Sequence, residues 1–329
     1  MSTFPVTEAP PVEVRGLEKL YGELRAVDGV DLTVEHGDVY GYLGPNGAGK
    51  TTSLRMMLGL IRPSAGEVRL FGRDPTATVE ALEGVAGFVE APTFYPYLTG
   101  RRNLELLAAF DGHGAPGRID AALDTVELTP RAGDRVGGYS HGMKQRLGIA
   151  AALLRDPHLL ILDEPATGLD PAGMRDMREL IRRLADQGMT VLLSSHLLAE
   201  VEELCNRVAI VRSGRIVYEG EIAQLKRSAG TTYRLRTTDN ERALAVCQAQ
   251  PGLNAVRSDN GHISFAAEER VVAGLSEALV RAGALILALS PETATLEHLF
   301  FTLTEDAEPA VQPETVAVPH PVAAPELQA

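Results

Sequence analysis

Residues 39–52 read Val39-Tyr40-Gly41-Tyr42-Leu43-Gly44-Pro45-Asn46-Gly47-Ala48-Gly49-Lys50-Thr51-Thr52. The first five residues predict a short buried strand, and a helical pattern starts near Lys50. The loop between them has the spacing G-x-x-x-x-G-K-[ST], in which glycines let consecutive backbone N–H groups wrap a phosphate chain. A strand, this loop and a helix in that order predict an α/β fold with a phosphate site beyond the carboxyl end of a strand.

Every residue from Gly44 to Thr52 is therefore a candidate contact to the phosphates. We expect Lys50 to contact the β- and γ-phosphates and the Thr51 hydroxyl to ligate Mg²⁺. A glycine-rich turn that matches by chance is the alternative, and the flanking strand and helix argue against it.

A second acidic motif, Leu159-Leu160-Ile161-Leu162-Asp163-Glu164-Pro165, places two carboxylates at the end of another apolar strand. Strand side chains alternate in direction, so the two carboxylates face different ways. Asp163 can then serve Mg²⁺, while Glu164 is free to orient and deprotonate an attacking water.

The chain organisation indicates one large unit followed by a smaller one. Strand and helix patterns alternate over residues 12–222, with Thr190–Leu193 as a further buried strand, and this predicts a mostly parallel sheet covered by helices. Residues 92–156 read as a helical insertion. The three helices predicted there are Asn103–Phe110, Arg118–Val126 and Ser140–Arg155.

The segment after residue 222 has a different pattern, with the order β-α-β-β-α-β over residues 223–304. Its elements are a strand Thr232–Arg236, a helix Asn240–Ala249, a hairpin Asn254–Phe265, a helix Glu268–Ala282 and a strand Leu285–Leu289. This order predicts a small split-βαβ accessory domain. We interpret residues 1–11 as a flexible lead-in and residues 305–329, which hold five acidic side chains and no Lys or Arg, as a disordered tail.

The composition narrows the class of protein. A net charge of −13 argues against a nucleic-acid binder, because neutralising phosphates needs a basic face. Cys205 and Cys247 are far apart, which favours a reduced cytosolic chain over a disulfide or a metal site. No signal-peptide pattern and no apolar run of about 18 residues is present, so we expect no membrane span.

The segment Tyr139-Ser140-His141-Gly142-Met143-Lys144-Gln145-Arg146 lies shortly before Asp163. The sequence predicts Ser140 as a helix N-cap, and from the residues alone a structural cap and an anion site are equally open. The segment resembles the signature sequence of ATP-binding cassette (ABC) ATPases, in the Tyr-Ser-x-Gly-Met form of bacterial exporters. That resemblance implies that Ser140 and Gly142 bind the γ-phosphate of an ATP held by a partner cassette.

Other elements of the resemblance follow in order along residues 12–222. Tyr21 is similar to the aromatic residue that stacks on adenine, Asp170 lies in the D-loop position, and His196 matches the switch histidine that contacts the γ-phosphate. Glu90 departs from the family pattern, which usually has glutamine there, and a carboxylate accepts hydrogen bonds but does not donate them. Glu90 remains a candidate Mg²⁺ ligand and catalytic residue.

The resemblance implies a cassette that dimerises on binding ATP, as a homodimer or with a related cassette, and that drives a separately encoded permease from the cytoplasmic face of the membrane. It favours an exporter of drugs, antibiotics or lipids over an importer or a soluble non-transport ATPase. The cluster of Phe94, Tyr95 and Tyr97 is either a docking patch for the permease or a small core beneath the helices. A single phosphate loop, no sustained heptads and no Asn-Lys-x-Asp argue against ribosomal, chromosomal and GTPase relatives.

Overall fold

The structure is a computed structural model that describes residues 8–111, 114–228, 231–259, 261–293, 296 and 299–300. Most of the predicted lead-in and the whole predicted tail lie outside these residues. The strands are β1 Val12–Tyr21, β2 Leu24–Val34, β3 Val39–Leu43, β4 Ala65–Leu70, β5 Val85–Phe88, β6 Leu159–Asp163, β7 Thr190–Ser195, β8 Arg207–Arg212, β9 Arg215–Glu221, β10 Thr231–Thr237, β11 Asn254–Asp259, β12 His262–Ala267 and β13 Ile286–Thr293. The helices are α1 Lys50–Met57, α2 Gly100–Asp111, α3 Ile119–Thr125, α4 His141–Leu153, α5 Pro171–Asp186, α6 Leu198–Leu204, α7 Ile222–Ser228, α8 Asn240–Ala249 and α9 Glu269–Arg281. Short 3-10 turns occupy Val79–Leu82, Ala115–Arg118, Thr129–Arg131 and Val136–Gly138.

The central sheet has the strand order β5-β6-β7-β3-β8-β9. Neighbours from β5 to β8 are parallel, and only the last pair, β8 with β9, is antiparallel. The register pairs Leu43 with Ser195 and Asp163 with Ser194, so β3, β6 and β7 end at the same edge. The sequence prediction of a mostly parallel α/β sheet is confirmed.

A second sheet, of order β2-β1-β4, is antiparallel and shares a core with one face of the central sheet. Helix α1 lies in that core and buries Leu54, Met56 and Met57. The helix that follows the phosphate loop is therefore held by apolar contacts on both sheets, which fixes the loop in front of it.

The helical segment follows β5, as predicted, with small differences at the helix ends. Helix α4 ends at Leu153 rather than at Arg155, because Asp156 adopts φ 53° and precedes a proline, which cannot continue the helix. Helices α2, α3 and α4 bury a largely aliphatic core that includes Leu104, Leu123 and Leu147. A core without tryptophan agrees with the composition.

The accessory domain is a four-stranded antiparallel sheet of order β11-β12-β10-β13. Helices α8 and α9 pack on it around a separate core with stacked Tyr233 and Phe265 at its centre. This is the predicted split-βαβ order. After β13, Leu296 and Leu299 are buried in the core of the large unit beside Ile222 and Leu225, so both ends of the accessory domain lead back to the cassette. The exact domain bounds stay a prediction.

Candidate functional site

The phosphate loop has a backbone conformation that only glycine adopts readily. Gly47 and Gly49 have φ values of 81° and 98°, and a Cβ on Gly49 would lie 2.3 Å from the Ala26 carbonyl oxygen. The Lys50 side chain is only 5% exposed, and its Nζ donates to the Gly44 oxygen at 2.8 Å and the Pro45 oxygen at 3.3 Å. The loop thus combines glycine-rich backbone with a buried ammonium group, which is the chemistry of a polyphosphate site.

The acidic motif at the end of β6 is tied to β7 by one hydroxyl group. Ser194 Oγ donates to Asp163 Oδ1 at 2.5 Å and accepts from the Glu164 backbone N–H at 3.0 Å. Glu164 then adopts φ 47°, which turns the chain out of the strand. Ser194 therefore fixes both acidic residues, and a non-glycine residue at positive φ carries a cost that such contacts offset.

The Glu164 carboxylate lies at the centre of a polar cluster. Its Oε1 is 3.2 Å from Lys50 Nζ, and its Oε2 accepts from Thr167 Oγ1 at 2.7 Å and lies 2.7 Å from His196 Nδ1. Burial raises the pKa of Glu164, but the hydrogen bond from Thr167 and the charges of Lys50 and His196 outweigh it and hold the pKa below its ordinary value. The carboxylate is ionised at neutral pH.

The predicted magnesium ligands have the donor chemistry for that ion. Asp163 supplies a buried carboxylate at the end of β6, Thr51 supplies a hydroxyl in the first turn of α1, and Mg²⁺ prefers such oxygen donors. Within the described residues, no three His, Cys, Asp or Glu side chains are arranged to hold a metal ion by themselves. These two residues would therefore hold Mg²⁺ together with phosphate oxygens.

The signature segment borders a cleft near the starts of two helices. Ser140 caps α4 by accepting from the Met143 N–H at 3.2 Å, and Asp170 caps α5 by accepting from the Gly173 N–H at 2.9 Å. An open cleft of about 550 Å³ lies between the two helix starts. Its lining includes Ser140, Gly142 and Asp170 but no residue of the phosphate loop. The cleft therefore brings the two helix caps together without the phosphate loop.

Two predicted residues have other contacts. Glu90 adopts φ 69°, and its carboxylate, 67% exposed, forms an ion pair with Arg55 on α1. Tyr21 ends β1 and is 48% exposed, with Lys19 Nζ 5.3 Å from the ring centroid. An exposed ring at a strand end is accessible for stacking on a base.

Sequence reasoning missed three residues of the site, Ser194, Thr167 and Arg55. Ser194 had a recognisable signal, since a hydroxyl at the carboxyl end of an apolar strand is placed among ligand contacts. Thr167 and Arg55 act through contacts that only the fold creates.

Comparison with known proteins identifies the family. A family model described as "ABC transporter" matches residues 27–167. The chain is 41% identical to the bacitracin transport ATP-binding protein BcrA of Bacillus licheniformis over 239 residues, 72% of this chain and 78% of that protein. It is 36% identical to the daunorubicin/doxorubicin resistance ATP-binding protein DrrA of Streptomyces peucetius over 328 residues, 93% of this chain and 98% of that protein. The chain belongs to the ABC transporter ATP-binding proteins.

Solved structures of ABC cassettes share the fold. An ATP-binding subunit of an ABC transporter is 30% identical, with a TM-score of 0.59, over 66% of this chain and 92% of that one. The dimeric bacterial cassette MJ0796 is 25% identical, with a TM-score of 0.58, over 64% of this chain and 98% of that one. The predictions of the ABC cassette fold and of an ATP-binding, ATP-hydrolysing subunit are confirmed. In the described part of the chain, no helix is both long enough and apolar enough to cross a bilayer.

Proposed function

We propose that this ABC subunit hydrolyses ATP with Glu164 as the general base, Lys50 and residues 44–52 as the phosphate-binding group, and His196 as the group that orients the base. The observation that carries the proposal is the Glu164 carboxylate, which contacts both the buried Lys50 Nζ at 3.2 Å and His196 Nδ1 at 2.7 Å. A base must be ionised and within reach of the water it deprotonates, and the lowered pKa of Glu164 meets the first requirement.

Each residue would then act on the triphosphate or on the water. Lys50 exchanges its carbonyl and carboxylate partners for phosphate oxygens, which frees Glu164 Oε1 to accept a proton from water. Thr167 and His196 keep Oε2 in place, so the orientation of the carboxylate survives that exchange. Thr51 and Asp163 would hold Mg²⁺, which would supply charge neutralisation at the phosphates. Tyr21 would stack on the adenine ring, and Glu90, two residues after β5, would be a further residue to hold the ion.

The cassette would act as a head-to-tail dimer, either of two copies or with a related cassette. The cleft that holds Ser140, Gly142 and Asp170 is lined without any residue of the phosphate loop, which supports a second cassette that brings its own loop to this cleft. A helix start with its N–H groups directed outward suits the γ-phosphate. Cassettes of known structure have been described as dimers.

This ATPase subunit would be coupled to a separate permease at the cytoplasmic face of the membrane. The direction of transport that we propose is export, of drugs, antibiotics or lipids. Relatives named for bacitracin transport and daunorubicin resistance support export. A docking surface is available on the helical segment, where Tyr95 and Tyr97 are 54% and 65% exposed with ring centroids 5.7 Å apart. Phe94 instead packs against the core. The two tyrosines therefore fit the docking-patch interpretation, and Phe94 fits the small-core interpretation.

The test is Glu164→Gln in the full chain. We expect steady-state ATP hydrolysis to fall by about 10²-fold or more, because the amide cannot accept the proton. Binding of Mg–ATP should persist, and a dimer should accumulate in size-exclusion chromatography with ATP. Glu67→Gln, which removes one negative charge at an exposed position on β4, is the matched control and should behave as the wild type. Turnover that persists in Glu164→Gln would remove Glu164 from the base role.

A further inference from the structure

We propose that Arg55, on α1, is a positioning residue that holds the Glu90 side chain in place. It also neutralises the negative charge of the Glu90 carboxylate, which stands where ABC ATPases usually have the neutral amide of a glutamine. The proposal rests on the proposed function, because it concerns the approach of a triphosphate to that site.

The fold brings Glu90 to the nucleotide edge of the sheet. Strand β5 pairs with β6 in parallel register, Phe88 beside Leu162, so Glu90 follows β5 at the edge where Asp163 ends β6. Arg55 is four residues, about one helical turn, beyond Thr51 on α1. The ion pair therefore spans the gap between the segment after β5 and the helix that carries the phosphate-binding Lys50 and Thr51.

The contact is specific to these two side chains. Arg55 Nη2 donates to Glu90 Oε1, and no other ion pair involves either residue in the part of the chain that the structure describes. Glu90 adopts φ 69°, a conformation that carries a cost for a residue with a side chain, and the ion pair is a local contact that offsets part of that cost. Arg55 supplies that contact from a helix whose own position is fixed by the core.

The charge balance gives the pair its function. A carboxylate beside a triphosphate repels it, and the repulsion is significant over the few ångströms that separate groups in one site. A guanidinium in contact with that carboxylate cancels most of its field. The pair is partly exposed, at 37% for Arg55 and 67% for Glu90, so solvent screens it and the expected effect is modest.

The experiment is a double-mutant cycle on nucleotide affinity, measured by calorimetric titration of the full chain with ATP in EDTA, where no Mg²⁺ masks the charge. We expect Arg55→Gln to weaken ATP binding about two- to five-fold. In the Glu90→Gln background the same change should weaken binding by no more than about 1.5-fold, because no charge remains to be neutralised. The effect of Arg55→Gln should also shrink as salt rises.

Two controls separate this role from a structural one. Arg55→Lys keeps the charge and should restore most of the affinity, and Arg69→Gln, which removes an exposed cation paired with Glu67 on β4, should leave binding unchanged. If Arg55→Gln weakens ATP binding by the same factor in the wild-type and Glu90→Gln backgrounds, the proposal is overturned, and Arg55 acts on the phosphates directly. If the wild-type chain does not bind ATP at all, the proposed function fails first.

Discussion

At the residue scale, the polar cluster around Glu164 shows how one carboxylate is both oriented and kept charged. Three partners surround it, and two of them, Lys50 at the start of α1 and His196 directly after β7, are distant from it in sequence. The lowered pKa has a consequence for stability. A group whose folded pKa lies below its unfolded value stabilises the fold above the unfolded pKa, about 4.3 for glutamate, and loses that contribution as pH falls through the folded pKa.

We therefore expect the wild-type chain to be more stable than Glu164→Gln near pH 7, by about 1–2 kcal/mol, since the amide leaves the buried Lys50 without its counter-charge. The difference should diminish below about pH 4 as Glu164 becomes protonated. Urea unfolding of both proteins at pH 7 and pH 3.5 measures it. A difference that is the same at both pH values would show that the charge contributes nothing.

The sequence predicted the charged members of this cluster but not the hydroxyls that orient them. Lys50, Asp163 and Glu164 belong to patterns with fixed spacing, and His196 was located by resemblance. Ser194 and Thr167 are common residues whose roles depend on the pairing of β6 with β7 and on the positive φ of Glu164. No local pattern encodes such a register, so tertiary structure was needed to find them.

At the element scale, α4 was predicted to within two residues at its end, while its close packing was not. Gly148 lies where α4 meets the segment after β5, and a Cβ there would be 2.5 Å from Pro92 Cγ and 3.3 Å from Phe88 Cε1. Helical periodicity reports which face is buried but not how closely a neighbour approaches. The absence of a side chain at Gly148 sets the distance between the signature helix and the loop of Glu90.

Gly148→Ala should therefore destabilise the chain, because overpacking costs about 1–3 kcal/mol and exceeds the gain of about 1 kcal/mol in helix propensity. Gly274→Ala in α9 is the matched control, since its nearest atom, Gln250 Nε2, is 3.7 Å away. That change should stabilise its helix by about 0.5–1 kcal/mol. Thermal unfolding of the two variants should shift in opposite directions, and a stabilised Gly148→Ala would mean that Pro92 moves aside without cost.

At the scale of the whole molecule, the fold class and the order of the accessory elements followed from the sequence, because alternating patterns and turn signals are local. The return of the chain to the cassette core was not predicted, since Leu296 and Leu299 are distant in sequence from Ile222 and Leu225. The accessory sheet thus lies between two segments that contribute to one core.

A chain that ends at Ser228 should be less stable than one in which residues 231–293 are replaced by a short flexible linker. The first lacks Leu296 and Leu299, and each buried leucine contributes about 1.5–3 kcal/mol. Soluble yield and unfolding temperature of the two proteins test this directly. Equal stability would place the end of the cassette near residue 222, as the sequence suggested.

The Glu202 carboxylate on α6 contacts both the segment that leads into the accessory domain and the segment that leads out of it. It is 2.5 Å from Lys226 Nζ on α7 and accepts from the Leu296 N–H at 2.9 Å. Helix α6 begins two residues after His196. The accessory domain is therefore attached at two neighbouring points, and rotation about the line through these points is its least restricted movement. A displacement of His196 that moved α6 would then turn the accessory sheet about that single axis.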